Sequence, residues 1–160
     1  YRLYPVEGSR APDIKKAVSW YEKAGGQGEV AALNELAVIY AFGQNEIPKN
    51  SRRAFELAQR SAQLGDHIGM SFLARHYEAG EGVLQSYVKA LMWYNLSLAL
   101  REPQHSYDSG DAWGSIVTAM QGAIEKWTKS DRDELLSKMT REQIAEAQVL
   151  SERWLLGRKR

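Results

Sequence analysis

Three histidines, His67, His76 and His105, are the side chains of this chain best suited to proton transfer or metal ligation near neutral pH. A helical zinc site of the protease kind needs two histidines four residues apart with a Glu between them, and no pair here has that spacing. His76 is expected at the flank of a helix beside a core Tyr77, and the other two in loops. Gly25-Gly26-Gln27-Gly28 and Gly80-Glu81-Gly82 have the composition of phosphate cradles. Neither follows a strand or leads into Lys-Ser/Thr, so both read as turns between helices. Asp131, Asp133 and Glu134 beside Arg132 read as a solvated helix face with ion pairs three and four residues apart, not as a paired acid and base. There is no cysteine, which removes thiolate nucleophiles, disulfides and sulfur-based zinc sites. The five tryptophans and eight tyrosines offer stacking platforms for sugars or bases, but their helical spacing favours a place in the core. The expectation is a chain with no catalysis, no metal and no cofactor.

Charge narrows the partners further. Lys and Arg number 21 against 20 for Asp plus Glu, a formal net charge of +1, so no broad field favours nucleic acid or an anionic membrane. Arg158-Lys159-Arg160 is too short to argue otherwise and reads as a solvated tail. Apolar stretches are broken by charges well short of the roughly 20 residues a membrane span needs, so no direct membrane insertion is expected. At 160 residues the chain fits one domain with an extended core.

The elements that position these side chains come from a repeat. Ala32, Leu36, Ala37, Tyr40 and Gly43 return 37 positions later as Gly69, Leu73, Ala74, Tyr77 and Gly80, and Ala17 and Gly28 return at the same interval as Ala54 and Gly65. Ala17, Trp20, Tyr21 and Lys23 align with Ala54, Leu57, Ala58 and Arg60, and after a 36-residue step with Ala90, Trp93, Tyr94 and Leu96. Residues 32, 36, 37 and 40 share one helix face, as do 17, 20, 21 and 24, so each unit is two helices. Gly43 and Gly80 suit left-handed caps after the first helix, Gly28 and Gly65 end the second, and Pro12 and Pro48 precede second helices. One pair cannot bury its apolar stripe alone. Stacked neighbours share it as one continuous seam, in which Tyr and Trp fill the space between pairs.

These residues resemble the Sel-one-like repeat family, relatives of the tetratricopeptide repeats. The match is Ala-x3-Leu-Gly/Ala-x2-Tyr-x2-Gly, a loop, then Ala-x2-Trp-Tyr-x-Lys-Ala-x3-Gly, with Leu57-Ala58 and Ala37 and Ala74 as departures. The resemblance implies an all-α fold: an α-solenoid of stacked antiparallel helix pairs, with a partial repeat over 1–28, repeats over 29–66 and 67–101, and a helical cap over 102–160. Tyr4, placed before Ala17 as Tyr77 is before Ala90, suggests that residue 1 lies inside the first helix of a unit. In the cap, 102–110 reads as a loop and Asp111 as the N-cap of a helix through Trp113, Ile116, Val117, Met120, Ile124 and Trp127. Ser130 is expected to start a further segment with Leu135 and Leu136. Thr140-Arg141-Glu142-Gln143 is a capping box opening a last helix through Ile144, Ala147, Leu150 and Trp154.

Function follows from the same reading. The resemblance implies an adaptor or scaffold that holds a protein or peptide partner on the concave face lined by first helices. Opposite the buried stripe lie Asn34, Val38, Ala41 and Phe42, matched in the next unit by Ser71, Arg75, Glu78 and Ala79. This mixed strip is the expected contact surface; the alternative is that Val38 and Phe42 touch the preceding unit as core. Glu at both Val38 and Arg75 is expected to abolish capture of a partner at unchanged Tm. Two other readings stand beside this one: a regulatory or structural domain of a larger bacterial envelope or signalling protein, and a hydrolase of the family's cysteine-rich branch, disfavoured by the absence of cysteine. A soluble monomer is expected, with an exported or periplasmic bacterial setting.

Overall fold

The computed structural model describes residues 13–44, 46–100 and 112–158, which form seven α-helices and no β-strand. They are α1 (Ile14–Gly26), α2 (Val30–Phe42), α3 (Ser51–Gln63), α4 (His67–Ala79), α5 (Tyr87–Ala99), α6 (Ala112–Ser137) and α7 (Arg141–Arg158). Side-chain oxygens open four of the first five: Asp13 accepts from the Lys16 N–H at 3.2 Å, Asn50 from Arg53 at 2.9 Å, Asp66 from Gly69 at 2.7 Å and Ser86 from Lys89 at 3.3 Å. Gly80 closes α4 in the left-handed conformation, whereas Gly43 ends α2 at positive φ but with extended ψ. After Gly43 the chain does not coil onward; it enters a tight antiparallel bridge between Gln44 and Ile47.

Neighbouring helices pack in sequence, α1 on α2, α2 on α3, α3 on α4 and α4 on α5, and short loops make each consecutive pair antiparallel. The chain is therefore an all-α solenoid of stacked helix pairs. Its core is not one seam. Ile14, Val18, Leu33, Leu36, Ala37, Ile39 and Leu57 form one cluster, while Phe55, Ala58, Ala62, Met70, Leu73, Ala74, Tyr77 and residues beyond form another. The division falls at α3, which turns Leu57 towards α2 and Phe55, Ala58 and Ala62 towards α4. A polar knot sits at this junction: the Asn34 Nδ2 donates to Asp66 Oδ2 at 2.9 Å, and the Ser61 hydroxyl lies 2.7 Å from Asn34 Oδ1.

Two expectations about aromatic and polar positions change. Trp20 is 62% exposed and lies under the Lys23 ammonium at 4.9 Å, although its repeat equivalents Leu57 and Trp93 are packed against the core. His67 is the first residue of α4 instead of a loop residue, and its carbonyl accepts from Ser97 at 2.7 Å.

Both cap helices dock on α5. Helix α6 runs unbroken through Ser130, which therefore starts nothing: no Gly or Pro stands between Ala123 and Ser137 to stop the helix. The capping box forms as expected, with the Thr140 N–H donating to Gln143 Oε1 at 3.0 Å and the Gln143 N–H to Thr140 Oγ1 at 3.3 Å. Trp154 meets Trp93 edge to face at 5.7 Å, and Leu135 and Ala147 are fully buried. Tyr4, Asp111 and His105 lie outside the described residues, and so do the side chains of Trp113, Ile116, Val117 and Met120. Among the described residues no helix is long and apolar enough to cross a membrane.

Candidate partner-binding site

Helices α2 and α4 are the first helices of successive repeats, so the faces they turn away from their own partners α3 and α5 lie side by side. Between them is a cleft of about 300 Å³ lined by Ala37, Val38, Ala41 and Phe42 from α2, Phe72, Arg75, His76 and Ala79 from α4, and Lys49 and Glu81 from the loops that follow. Its wall is mostly apolar, and Phe42 stands at it 73% exposed. Exposed apolar side chains occur singly elsewhere on this surface, Leu84 and Leu156 among them; Phe42 differs in standing beside other apolar side chains that line one cleft.

The rim is charged and internally paired. Lys49 Nζ meets Glu81 Oε1 at 3.1 Å and so ties the two loops together. Arg75 lies 3.6 Å from Asp131 of α6, with its guanidinium 5.1 Å from the Trp127 ring centre, and Trp127 is stacked on Phe72 at 6.2 Å. The His76 Nδ1–H donates to the Glu81 carbonyl at 2.8 Å, since a carbonyl can only accept, and its ring meets Phe55 edge on.

Burial holds the His76 imidazole below its ordinary value near 6.5, against the opposing pull of the Glu81 carbonyl. The neutral ring therefore contributes stability above the unfolded-state value, and that contribution is lost as pH falls through the lower folded-state value. Urea midpoints are expected to drop between pH 7 and 5, by less in His76→Gln than in the parent chain; equal pH slopes would show that His76 is not the group responsible.

The residues expected to meet a partner divide into three groups. Val38, Ala41, Phe42 and Arg75 line the cleft together. Glu78 is one turn on, in a second cleft of about 400 Å³ between α4 and α6 that also holds Arg75, Ala79, Gln85, Tyr87, Asp131, Glu134 and Lys138. The phenol of buried Tyr94 donates to Glu78 Oε2 at 3.0 Å, and desolvation, with Glu78 beside it, raises that phenol far above the usual range. Asn34 and Ser71 are elsewhere. Asn34 is spent on the α2–α3–α4 polar knot, and Ser71 is fully buried, 2.7 Å from the Ser97 hydroxyl and 2.9 Å from Thr128 of α6. Ser71 therefore fixes where the cap docks instead of facing a partner. Phe42 is no core residue, and Val38 is half-buried in the cleft wall.

Sequence reasoning missed Phe72, His76 and Lys49 as cleft residues. Phe72 aligns with Glu35 of the previous unit, so the repeat gave no hint of it. The signal was the spacing 72, 75, 76, 79, which is one face of a helix. Among the described residues no three His, Asp or Glu side chains converge as a metal-ligand set.

The stacked pairs, the glycine-closed first helices and the shared first-helix face define an α-solenoid repeat protein. The Sel1 repeat model matches residues 7–29, 30–66 and 67–100, and the chain belongs to the Sel1 repeat family. Solenoids of this family are typical of protein–protein interaction modules and are generally scaffolds without catalysis. Among curated proteins the chain is similar to cytochrome c oxidase assembly factor 7 of Xenopus tropicalis, 33% identical over 49% of this chain and 34% of that one. It is also similar to chitin synthase regulatory factor 1 of Schizosaccharomyces pombe, 31% identical over 72% of this chain and 25% of that one. The chain thus spans about a quarter to a third of the length of these two relatives. Among solved structures, a protective antigen of uropathogenic Escherichia coli with an SLR fold superposes at TM-score 0.70 over 93% of this chain and 27% of that one, at 23% identity. A Sel1 repeat protein from Oxalobacter formigenes does so at TM-score 0.51 over 56% of this chain and 66% of that one, at 29% identity.

Proposed function

We propose that this chain is an interaction module that holds a segment of a protein partner in the cleft between α2 and α4, with no reaction of its own. The observation that carries this is Phe42, 73% exposed on a formed apolar wall with Val38, Ala41, Phe72 and Ala79. An assembly factor and a regulatory factor among the relatives support a role in organising other proteins. The small share of those relatives that the chain spans favours a second, compatible reading, in which the module is one domain of a larger regulatory protein.

Arg75→Glu is a poor test, because it places a carboxylate against Asp131 and removes the contact with Trp127. Val38→Glu is better: Val38 is half-buried in the cleft wall and belongs to neither core cluster. Affinity capture with mass spectrometry is expected to recover a protein on the parent chain and lose it on Val38→Glu, with Tm within a few degrees of the parent. Undiminished capture by Val38→Glu places the partner elsewhere.

A further inference from the structure

His76, in the wall of the α2–α4 cleft, is 7% exposed, and the Glu81 carbonyl takes its Nδ1–H at 2.8 Å. That bond fixes the tautomer, and burial, which holds the ring below its ordinary value, keeps it neutral near pH 7. Nε2 is therefore a lone-pair acceptor. Among the described residues nothing donates to it. Every fully enclosed side-chain nitrogen or oxygen there does have a partner, so Nε2 is not sealed; it opens to the space that His76 lines, the cleft. Solvent serves such an atom while the cleft is open. An occupant that expels the solvent without supplying a donor leaves a buried acceptor unpaired.

We infer that the cleft selects an aromatic side chain carrying a hydrogen-bond donor, the indole of Trp or the phenol of Tyr, from the bound segment of a protein partner, with its N–H or O–H on His76 Nε2. This rests on the docking role proposed above for the cleft. Val38, Ala41, Phe42, Phe72 and Ala79 supply the apolar wall for the ring, and about 300 Å³ is at the small end of ligand pockets, room for one large side chain. Phe and Leu fill the same wall but cover Nε2 with carbon. Ser and Thr bring a donor and little apolar surface. Lys and Arg bring a donor with a charge, and the one acid lining the cleft, Glu81, is already 3.1 Å from Lys49. Trp and Tyr combine a large apolar body with a polar tip, the combination enriched at the buried centres of interfaces.

The test uses random short peptides displayed on phage, selected on the whole chain and sorted by whether binding survives Val38→Glu. Clones that need Val38 are expected to share a Trp or Tyr. As free peptides, Phe in place of that Tyr, or naphthylalanine in place of that Trp, removes the donor and keeps the rings, and should weaken binding to the parent chain roughly tenfold or more. On His76→Phe, which offers a ring without an acceptor, the paired peptides should bind within about twofold of each other. Val38-dependent clones anchored as often by Phe or Leu, or donor-free peptides that bind the parent chain as tightly, overturn the inference and leave the docking role standing. A tenfold donor effect that persists on His76→Phe does the same. The comparison of peptides on the parent chain needs no variant, so it decides even if His76→Phe does not fold. If no clone depends on Val38, the docking role of the cleft fails and this inference fails with it.

Discussion

Tyr77→Ala is expected to cost about 3–5 kcal/mol of folding free energy, among the largest losses of any single truncation in this chain. Tyr77 is 8% exposed, and its ring stands perpendicular to Phe55 at 5.6 Å, in the cluster shared by α3, α4 and α5. Truncation leaves a ring-sized void that three helices line, and none can collapse into it without losing its own register. For a chain of this size the loss corresponds to a fall in Tm of roughly 6–20 °C, read by calorimetry or thermal circular dichroism. Trp20→Ala is the contrast: a larger side chain, but exposed, with the Lys23 ammonium over it, so its loss should stay below about 1 kcal/mol. Equal effects at the two positions would contradict the division between buried and exposed aromatics.

Gly82→Ala should be the second costly change, at about 2–5 kcal/mol by the same measurement. Gly82 has φ of +76°, which costs an alanine about 1–2 kcal/mol. Its added Cβ would also stand 2.6 Å from the Ser51 carbonyl carbon and 2.9 Å from the Arg52 nitrogen. These are backbone atoms at the start of α3, so the loop itself must move away, at a further cost of about 1–3 kcal/mol. That loop carries Glu81, whose carbonyl holds His76 and whose carboxylate holds Lys49, so the cleft rim shifts with it. Gly26→Ala, where an added Cβ meets nothing within 4 Å, should be neutral or slightly stabilising. A neutral Gly82→Ala would mean that the loop does not pack on α3 as described.

The fold was legible because its signals are local. Small and aromatic residues returning every 37 positions on one helix face place α2 to α5, and the Thr140 box places the start of α7. Errors arose where a neighbour outside the repeat decides burial. Ser71 aligns with half-buried Asn34, yet it is covered by Thr128, which stands 57 residues away in a helix with no place in the repeat register. The ion pairs Arg75–Asp131 and Glu78–Lys138 likewise join segments that no periodicity links. The seam expected to be continuous is divided at α3, where Leu57 packs with the α1–α2 side chains and Phe55, Ala58 and Ala62 with those of α4 and α5. Of the candidate site, the α2 side followed from the helix face opposite the buried stripe. Phe72 and His76 on the α4 side were hidden, because the previous unit has Glu35 and Ile39 at those positions.

The most direct measurement is the affinity of the captured partner for the parent chain and for Val38→Glu, by titration calorimetry at matched folding stability. A single carboxylate set into the mostly apolar wall should weaken binding by roughly tenfold or more, because binding must strip water from the charge and the apolar contact of the valine is lost. Equal affinities for the two chains would contradict the assignment of the α2–α4 cleft as the place where this module holds its partner.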